Sequence, residues 1–350
     1  MFKQQRSRLI SLVLVLIFAS YLRLNGVLEN AGFWDDTYRD ILTTQNIHKH
    51  LTRFEFNKLP TAGPQVEPPI GINAHHGAFY FYFITPVAIF SNFHPLGLSL
   101  FVIILNIVAV YLIYLLGKEL IDDLGGVIAA LLFAVSNLAV TYSKFPWNPN
   151  LISFFVLMSL LSTFKIERGN LKFWPLFSFA LAATTQIHLL GYLFAFTFIP
   201  ILFKKTLYPR GKILIYSIIC FFIPILPEII YQISDFSLIG ATLTYIQKYL
   251  LNNNILIFIF IVILFGIALS TIYVKRFRFV LLISWSVSTS LILIFATPHL
   301  RRGIEHPLLF VLPLFLIFLS ALIRKLFTLR ELMPFGVMLN VNPLYTWRVD

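Results

Sequence analysis

The residues best suited to chemistry lie in Trp34-Asp35-Asp36-Thr37-Tyr38-Arg39-Asp40, where three carboxylates and a guanidinium stand close together in a chain that is only 12% charged. If Asp35 caps a helix, Asp36, Arg39 and Asp40 fall at i, i+3 and i+4 and share one face. A carboxylate held there beside a guanidinium stays ionised and can take a proton from an incoming hydroxyl. An N-capped interfacial helix with a local ion pair accounts for the same residues without chemistry.

Four further polar groups punctuate the apolar chain. His75 and His76, before Gly77, could bind a phosphate or orient an acceptor, or they could be loop residues near lipid headgroups. Adjacent histidines have no chelating geometry of their own, so no metal or other cofactor is assigned. Tyr142-Ser143-Lys144 precedes Trp147-Asn148-Pro149-Asn150. A Pro-terminated turn with an interfacial tryptophan explains Trp147 and Pro149. An anionic ligand would explain Lys144. Gln186 and His188 sit between two short apolar runs, which places His188 in a funnel below the surface or in a hydrogen bond between helices. Arg301-Arg302 could clamp a phosphate bidentately, or Arg302 could pair with Glu305, which with His306 lies a turn later if the region is helical.

These groups must be positioned by membrane helices. The chain has 350 residues, is 58% hydrophobic and has a mean hydropathy of +0.84, with about half the charge of a soluble domain. Apolar runs cover 9–24, 96–116, 126–142, 151–166, 173–187, 189–203, 213–231, 255–274, 279–296 and 308–323. The fold class expected is an all-α polytopic membrane bundle of about ten transmembrane helices. The alternation that a membrane barrel needs is absent. A basic N-terminus precedes the first run without a small-residue cleavage site, so that run reads as an uncleaved span. The single cysteine, Cys220, permits no internal disulfide.

An eleventh run, 78–90, is short, contains Pro86 and carries the interfacial tyrosines Tyr80 and Tyr82. Loop charge decides how it lies, because lysine and arginine concentrate on the cytoplasmic side. With the N-terminus inside and 78–90 dipping without crossing, 18 of the 27 basic residues are cytoplasmic; if it crossed, only 7 of 27 would be. The dipping arrangement follows, and the net charge of +12 is mostly a topology signal rather than a nucleic-acid footprint. It also brings every polar group above to one outer face. The first outer loop, 25–95, then carries a juxtamembrane helix over 36–51; a loop this long in a compact protein is usually functional. One domain is expected over 1–326, with a short tail over 327–350.

No P-loop, Rossmann glycine pattern, serine-nucleophile motif or zinc-finger spacing is present. The order of the motifs resembles that of the GT-C membrane glycosyltransferases, in the family 39 branch of protein O-mannosyltransferases and lipid A aminoarabinose transferases. Asp36-Thr37-Tyr38-Arg39-Asp40 is similar to their D-E-x-R motif. His76-Gly77-Ala78-Phe79-Tyr80, Tyr142-Ser143-Lys144 with Trp147-Asn148-Pro149-Asn150, and Gln186-Ile187-His188 follow in the family's order. The resemblance covers about residues 9–325. It implies an inverting sugar transfer on the extracytoplasmic face of the plasma membrane, from a polyprenyl-phosphate donor to a hydroxyl of a protein, lipid or glycan. Asp36 would be the general base, with Asp35 as the alternative. Arg39, His76, Lys144 and Arg301 or Arg302 would hold the lipid phosphate. Ala78 stands where relatives have proline, and Lys144 where they have arginine. A lipid-linked sugar flippase is the rival expectation, because it too would use outer cations on a lipid phosphate.

Overall fold

The computed structural model describes residues 2–30, 35–65, 75–234, 277–300, 303 and 305–332. The apolar run 255–274, Arg301, Arg302 and the tail beyond Leu332 lie outside them. Helices dominate: α1 (Phe2–Leu24), α2 (Val27–Asn30), α3 (Asp35–Thr52), α4 (Phe79–Phe90), α5 (Pro95–Leu120), α6 (Asp123–Val135), α7 (Asn137–Thr141), α8 (Ile152–Glu167), α9 (Trp174–Ile187), α10 (Leu190–Ala195), α11 (Lys212–Ser234), α12 (Phe277–Leu300) and α13 (Leu308–Leu332). A 3₁₀ stretch, Phe196–Phe203, extends α10. Strands β1 (Ala62–Gln65) and β2 (His75–Gly77) form a small antiparallel pair in the first loop.

Local signals set the boundaries. The His94 ring accepts from Leu96 N–H at 3.2 Å, with Pro95 in the first turn of α5. Asp122 caps α6 by accepting from Gly125 N–H at 2.7 Å. The apolar run 126–142 is not one helix: Ser136 leaves the helical conformation and caps α7 instead. α5 and α6 pack backbone to backbone, since a Cβ on Gly126 would lie 2.6 Å from the Tyr114 carbonyl oxygen. α8 runs through the centre, packed against α5 and α9, with Phe155 and Phe164 fully enclosed.

Six helices among the described residues are long and apolar enough to cross a membrane: Ser7–Glu29, Pro95–Leu120, Asn148–Glu167, Lys212–Tyr231, Phe277–Ala296 and Leu308–Phe327. The expectation of about ten came from counting shorter runs as well. Three of those, α6 with α7, α9, and α10 with its 3₁₀ extension, still lead from one end of the bundle to the other. α6 starts beside the Asp122–Arg324 ion pair and ends where Arg23 donates to the Ala134 carbonyl. The Trp174 indole at the start of α9 donates to the Leu207 carbonyl, just past the 3₁₀ stretch.

The two ends differ in charge chemistry. At one, Glu119 pairs with Lys165 (2.7 Å), Arg168 and Arg278 (3.6 Å), and Glu167 with Arg278 (2.6 Å). There too Asp122 meets Arg324, and Asp123 meets Lys118 and Arg8. Each of these cations belongs to the set expected on the cytoplasmic side. The other end carries Arg39 and Lys144, from the set expected outside.

α4 lies alongside α3 and runs in the same direction, with Tyr80 beside Asp40 at one end and Phe93 5.9 Å from the His48 ring at the other. The 26-residue α5 that follows leads to the Glu119 end, so α4, which starts beside Asp40, has both of its chain neighbours at the motif-bearing end. Cysteines introduced as Asp36→Cys and Lys144→Cys, in a Cys220→Ala background, are expected to react with an impermeant maleimide in intact cells. Protection of position 144 until lysis would mean that α4 crosses.

Candidate active site

α3 presents its polar motif as two carboxylates around one guanidinium. Arg39 Nη1 donates to Asp36 Oδ1 at 2.5 Å, while Nε and Nη2 both donate to Asp40 Oδ1 at 3.0 and 2.7 Å. The two acids differ in surroundings. Asp40 is fully buried, together with Thr37 and Thr44 on the same helix, whereas the Asp36 side chain is 46% exposed. The buried Tyr80 hydroxyl lies close enough to the Asp40 carboxylate for the two groups to interact. Asp35 begins α3.

Burial pushes the Asp40 carboxyl up to about 6, against the pull of the Arg39 charge. Its folded value lies above the ordinary 3.8, so the sign is that of a group whose proton binds better in the folded state. The stability it contributes is fully present below about 4 and is lost as pH rises through about 6. The melting temperature of the parent, relative to Asp40→Asn, is therefore expected to rise on acidification from pH 7 to pH 4. A relative fall over that window would mean that the ion pair outweighs burial.

A second cluster forms where β2, the end of α9 and the start of α13 meet. The His76 ring lies 5.2 Å from that of His188, and His188 Nε2 is 3.0 Å from His306 Nε2. His188 Nδ1 accepts from Leu190 N–H at 3.1 Å, so the neutral ring carries its proton on Nε2 and donates to His306. His188 closes the end of α9 and His306 lies in the turn before α13, and both rings are buried. Glu305 and His306 precede α13 in a turn rather than standing on a helix. The edge of Trp147 packs on His306 at 4.8 Å, with Tyr142 stacked beside the indole. Asn148 donates to the Ile187 carbonyl at 2.8 Å and so ties the motif to the end of α9. Gln186, also fully buried, presses against Gly77, where a Cβ would lie 1.9 Å from its Oε1. His75 packs edge-on against Tyr231 of α11, with its Nδ1 3.3 Å from the Gly63 carbonyl.

The structure thus gathers most of the expected residues into two adjoining groups, bridged by the four residues from Gly77 to Tyr80. Lys144 belongs to neither: its ammonium donates to the Asn25 carbonyl at 2.8 Å, pinning the end of α1. Arg301 and Arg302 fall outside the described residues. Sequence reasoning passed over Glu228, which accepts from Gln186. The signal was available, since a lone acid inside an apolar helix rarely lacks a reason. Among the described residues, no three His, Cys, Asp or Glu side chains converge in a way that could hold a metal ion.

Residues 75–231 match the model of a family described as dolichyl-phosphate-mannose-protein mannosyltransferase. No curated protein matches the chain. Crystal structures of the Archaeoglobus fulgidus oligosaccharyltransferase are similar in fold. The complex with Zn and sulfate is 16% identical with a TM-score of 0.53, over 96% of this chain and 51% of that one. The apo form is 14% identical with a TM-score of 0.54, over 93% and 51%. The form tethered to an acceptor peptide containing the NVT sequon is 16% identical with a TM-score of 0.52, over 93% and 51%. The chain spans about half the length of these proteins. The fold implied by the GT-C resemblance is the fold observed, and the likeness to the mannosyltransferases extends over residues 75–231.

Proposed function

We propose that the chain is an inverting glycosyltransferase that moves a sugar from a polyprenyl-phosphate donor to an acceptor hydroxyl on the extracytoplasmic side of the membrane. The observation that carries this reading is the asymmetric trio on α3. Asp40 is buried and fixes the guanidinium of Arg39, and Arg39 in turn holds the half-exposed Asp36 at the surface of the motif-bearing end. Asp36 takes the proton of the acceptor hydroxyl as that oxygen attacks the anomeric carbon. The bond from that carbon to the phosphate oxygen breaks, and its electron pair leaves with the lipid phosphate. Positioned cations at the same end stabilise the developing charge. Arg39 has N–H groups left for this after serving both carboxylates, and Arg301 or Arg302 are the further candidates.

The clustering of the polar motifs at one end favours an enzyme over a flippase, which would need polar groups along the membrane depth and a matching phosphate site at the other end. Mass spectrometry of surface proteins, glycolipids and glycans, with and without the gene, tests the reading. The expected result is loss of one sugar modification from one acceptor class. Loss of the same modification with the lipid-linked sugar trapped in the inner leaflet, rather than reaching the outer one, would favour transport.

A further inference from the structure

Glu228 lies in α11 between Pro227 and Ile229, where an ionised carboxylate is costly unless it faces polar groups. On the same helix Ile219, Ile223, Leu226 and Ile230 are exposed, as residues facing lipid would be. Glu228 turns the other way, toward α9 and α10. It accepts from Gln186 Nε2, and the Tyr192 hydroxyl lies 3.3 and 3.4 Å from its two oxygens. Both partners are neutral, and among the described residues no cation pairs with Glu228.

This carboxylate belongs to the motif-bearing end. One turn beyond it Tyr231 touches the His75 ring, and its partner Gln186 presses on Gly77. From Gly77, no more than about 10 Å of chain leads to Tyr80 at Asp40. Two carboxylate oxygens offer about four acceptor sites, of which an amide and a phenol occupy two. A negative group held by neutral donors repels a phosphate and suits a ring bearing several hydroxyls. We propose that Glu228, with Tyr192 beside it, binds hydroxyl groups of the transferred sugar, and so determines which sugar is accepted. This assignment rests on the polyprenyl-phosphate-sugar reading. The lipid phosphate then lies on the Arg39 side and the sugar toward α11.

The test uses the purified full chain in nanodiscs. Its affinity is measured for polyprenyl phosphate without sugar, and for the same lipid carrying mannose, glucose, galactose or N-acetylglucosamine. At least one sugar is expected to tighten binding over the bare lipid phosphate. Glu228→Gln keeps an acceptor for Gln186 and Tyr192 but removes the charge. It is expected to weaken binding of that sugar-bearing lipid about 10- to 100-fold, with less than about twofold change for the bare lipid phosphate. Tyr192→Phe, which keeps the ring in place, is expected to lose roughly 3- to 10-fold, again only for the sugar-bearing lipid. Equal losses for both lipids would make Glu228 a strut between α9 and α11 and overturn the proposal, as would a parent that gains nothing from any of the sugars. A parent that binds none of the lipids would instead overturn the donor reading on which the proposal rests.

Discussion

Asp36→Asn is expected to lower sugar transfer by roughly 10²-fold or more, the usual contribution of a positioned general base. The asparagine is nearly isosteric and still accepts from Arg39, but it takes up no proton at neutral pH. Donor affinity should stay close to that of the parent if Asp36 acts, as proposed, on the acceptor hydroxyl. The contrast with Asp40→Asn is informative. That side chain is fully buried, so its loss acts on the setting of Arg39 and on stability, with a smaller effect on transfer. Asp35→Asn fixes the register: a larger loss there than at Asp36 would move the base by one residue. Full activity in both Asp35→Asn and Asp36→Asn would remove the α3 motif from the mechanism.

The second large effect is expected at Arg39. Arg39→Ala strips two carboxylates of their common partner and leaves Asp40 buried without a counter-charge. Breaking a buried pair from one side costs about 3–5 kcal/mol. Here the cost should be nearer 1–3 kcal/mol, because the Arg39 side chain is 37% exposed and Asp40 can neutralise itself by taking up a proton. Donor binding should weaken at least tenfold, the loss of one charge-assisted bond to phosphate. Arg39→Lys should restore part of the donor affinity through its charge. It should restore little of the stability, since an ammonium cannot reach Asp36 and Asp40 in the fork geometry of a guanidinium. Parental affinity for polyprenyl phosphate in Arg39→Ala would confine Arg39 to positioning Asp36.

What the sequence made legible follows from how local each signal is. The helix carrying Asp36, Arg39 and Asp40 was readable from a spacing of three and four residues, and α3 covers the expected stretch. Loop charge is what led to the expectation that 78–90 dips without crossing, and the short helix α4 falls on that run. The burial of Asp40 beside an exposed Asp36 was not readable, because periodicity places both on one face. Tyr80, 40 positions along the chain, decides which of them is covered. His188 was readable as a polar residue between short helices, but its partner His306 lies 118 residues away, beyond any spacing rule. Lys144 shows the converse. Its position against the charge trend pointed to an anion, while its observed partner is a backbone carbonyl, which no side-chain pattern can announce. The break at Ser136 carried a local signal in the Ser136-Asn137 pair, but the apolar segments flanking that pair read as one continuous run. At the basic end the sequence showed cations but not that Glu119, Asp122, Asp123 and Glu167 are interleaved with them, since those pairs join different helices.

The central claim is that the chain breaks the bond between sugar and lipid phosphate rather than carrying the donor across the membrane. It is tested most directly by following that bond in proteoliposomes loaded with polyprenyl phosphate bearing a radiolabelled sugar, in the presence of a membrane-protein and glycolipid extract as acceptor. The expected result is label leaving the donor for an acceptor, an equal amount of sugar-free polyprenyl phosphate, inverted configuration at the anomeric carbon, and loss of all three in Asp36→Asn. Movement of intact donor between leaflets, undiminished in Asp36→Asn and with no sugar-free lipid formed, would contradict it.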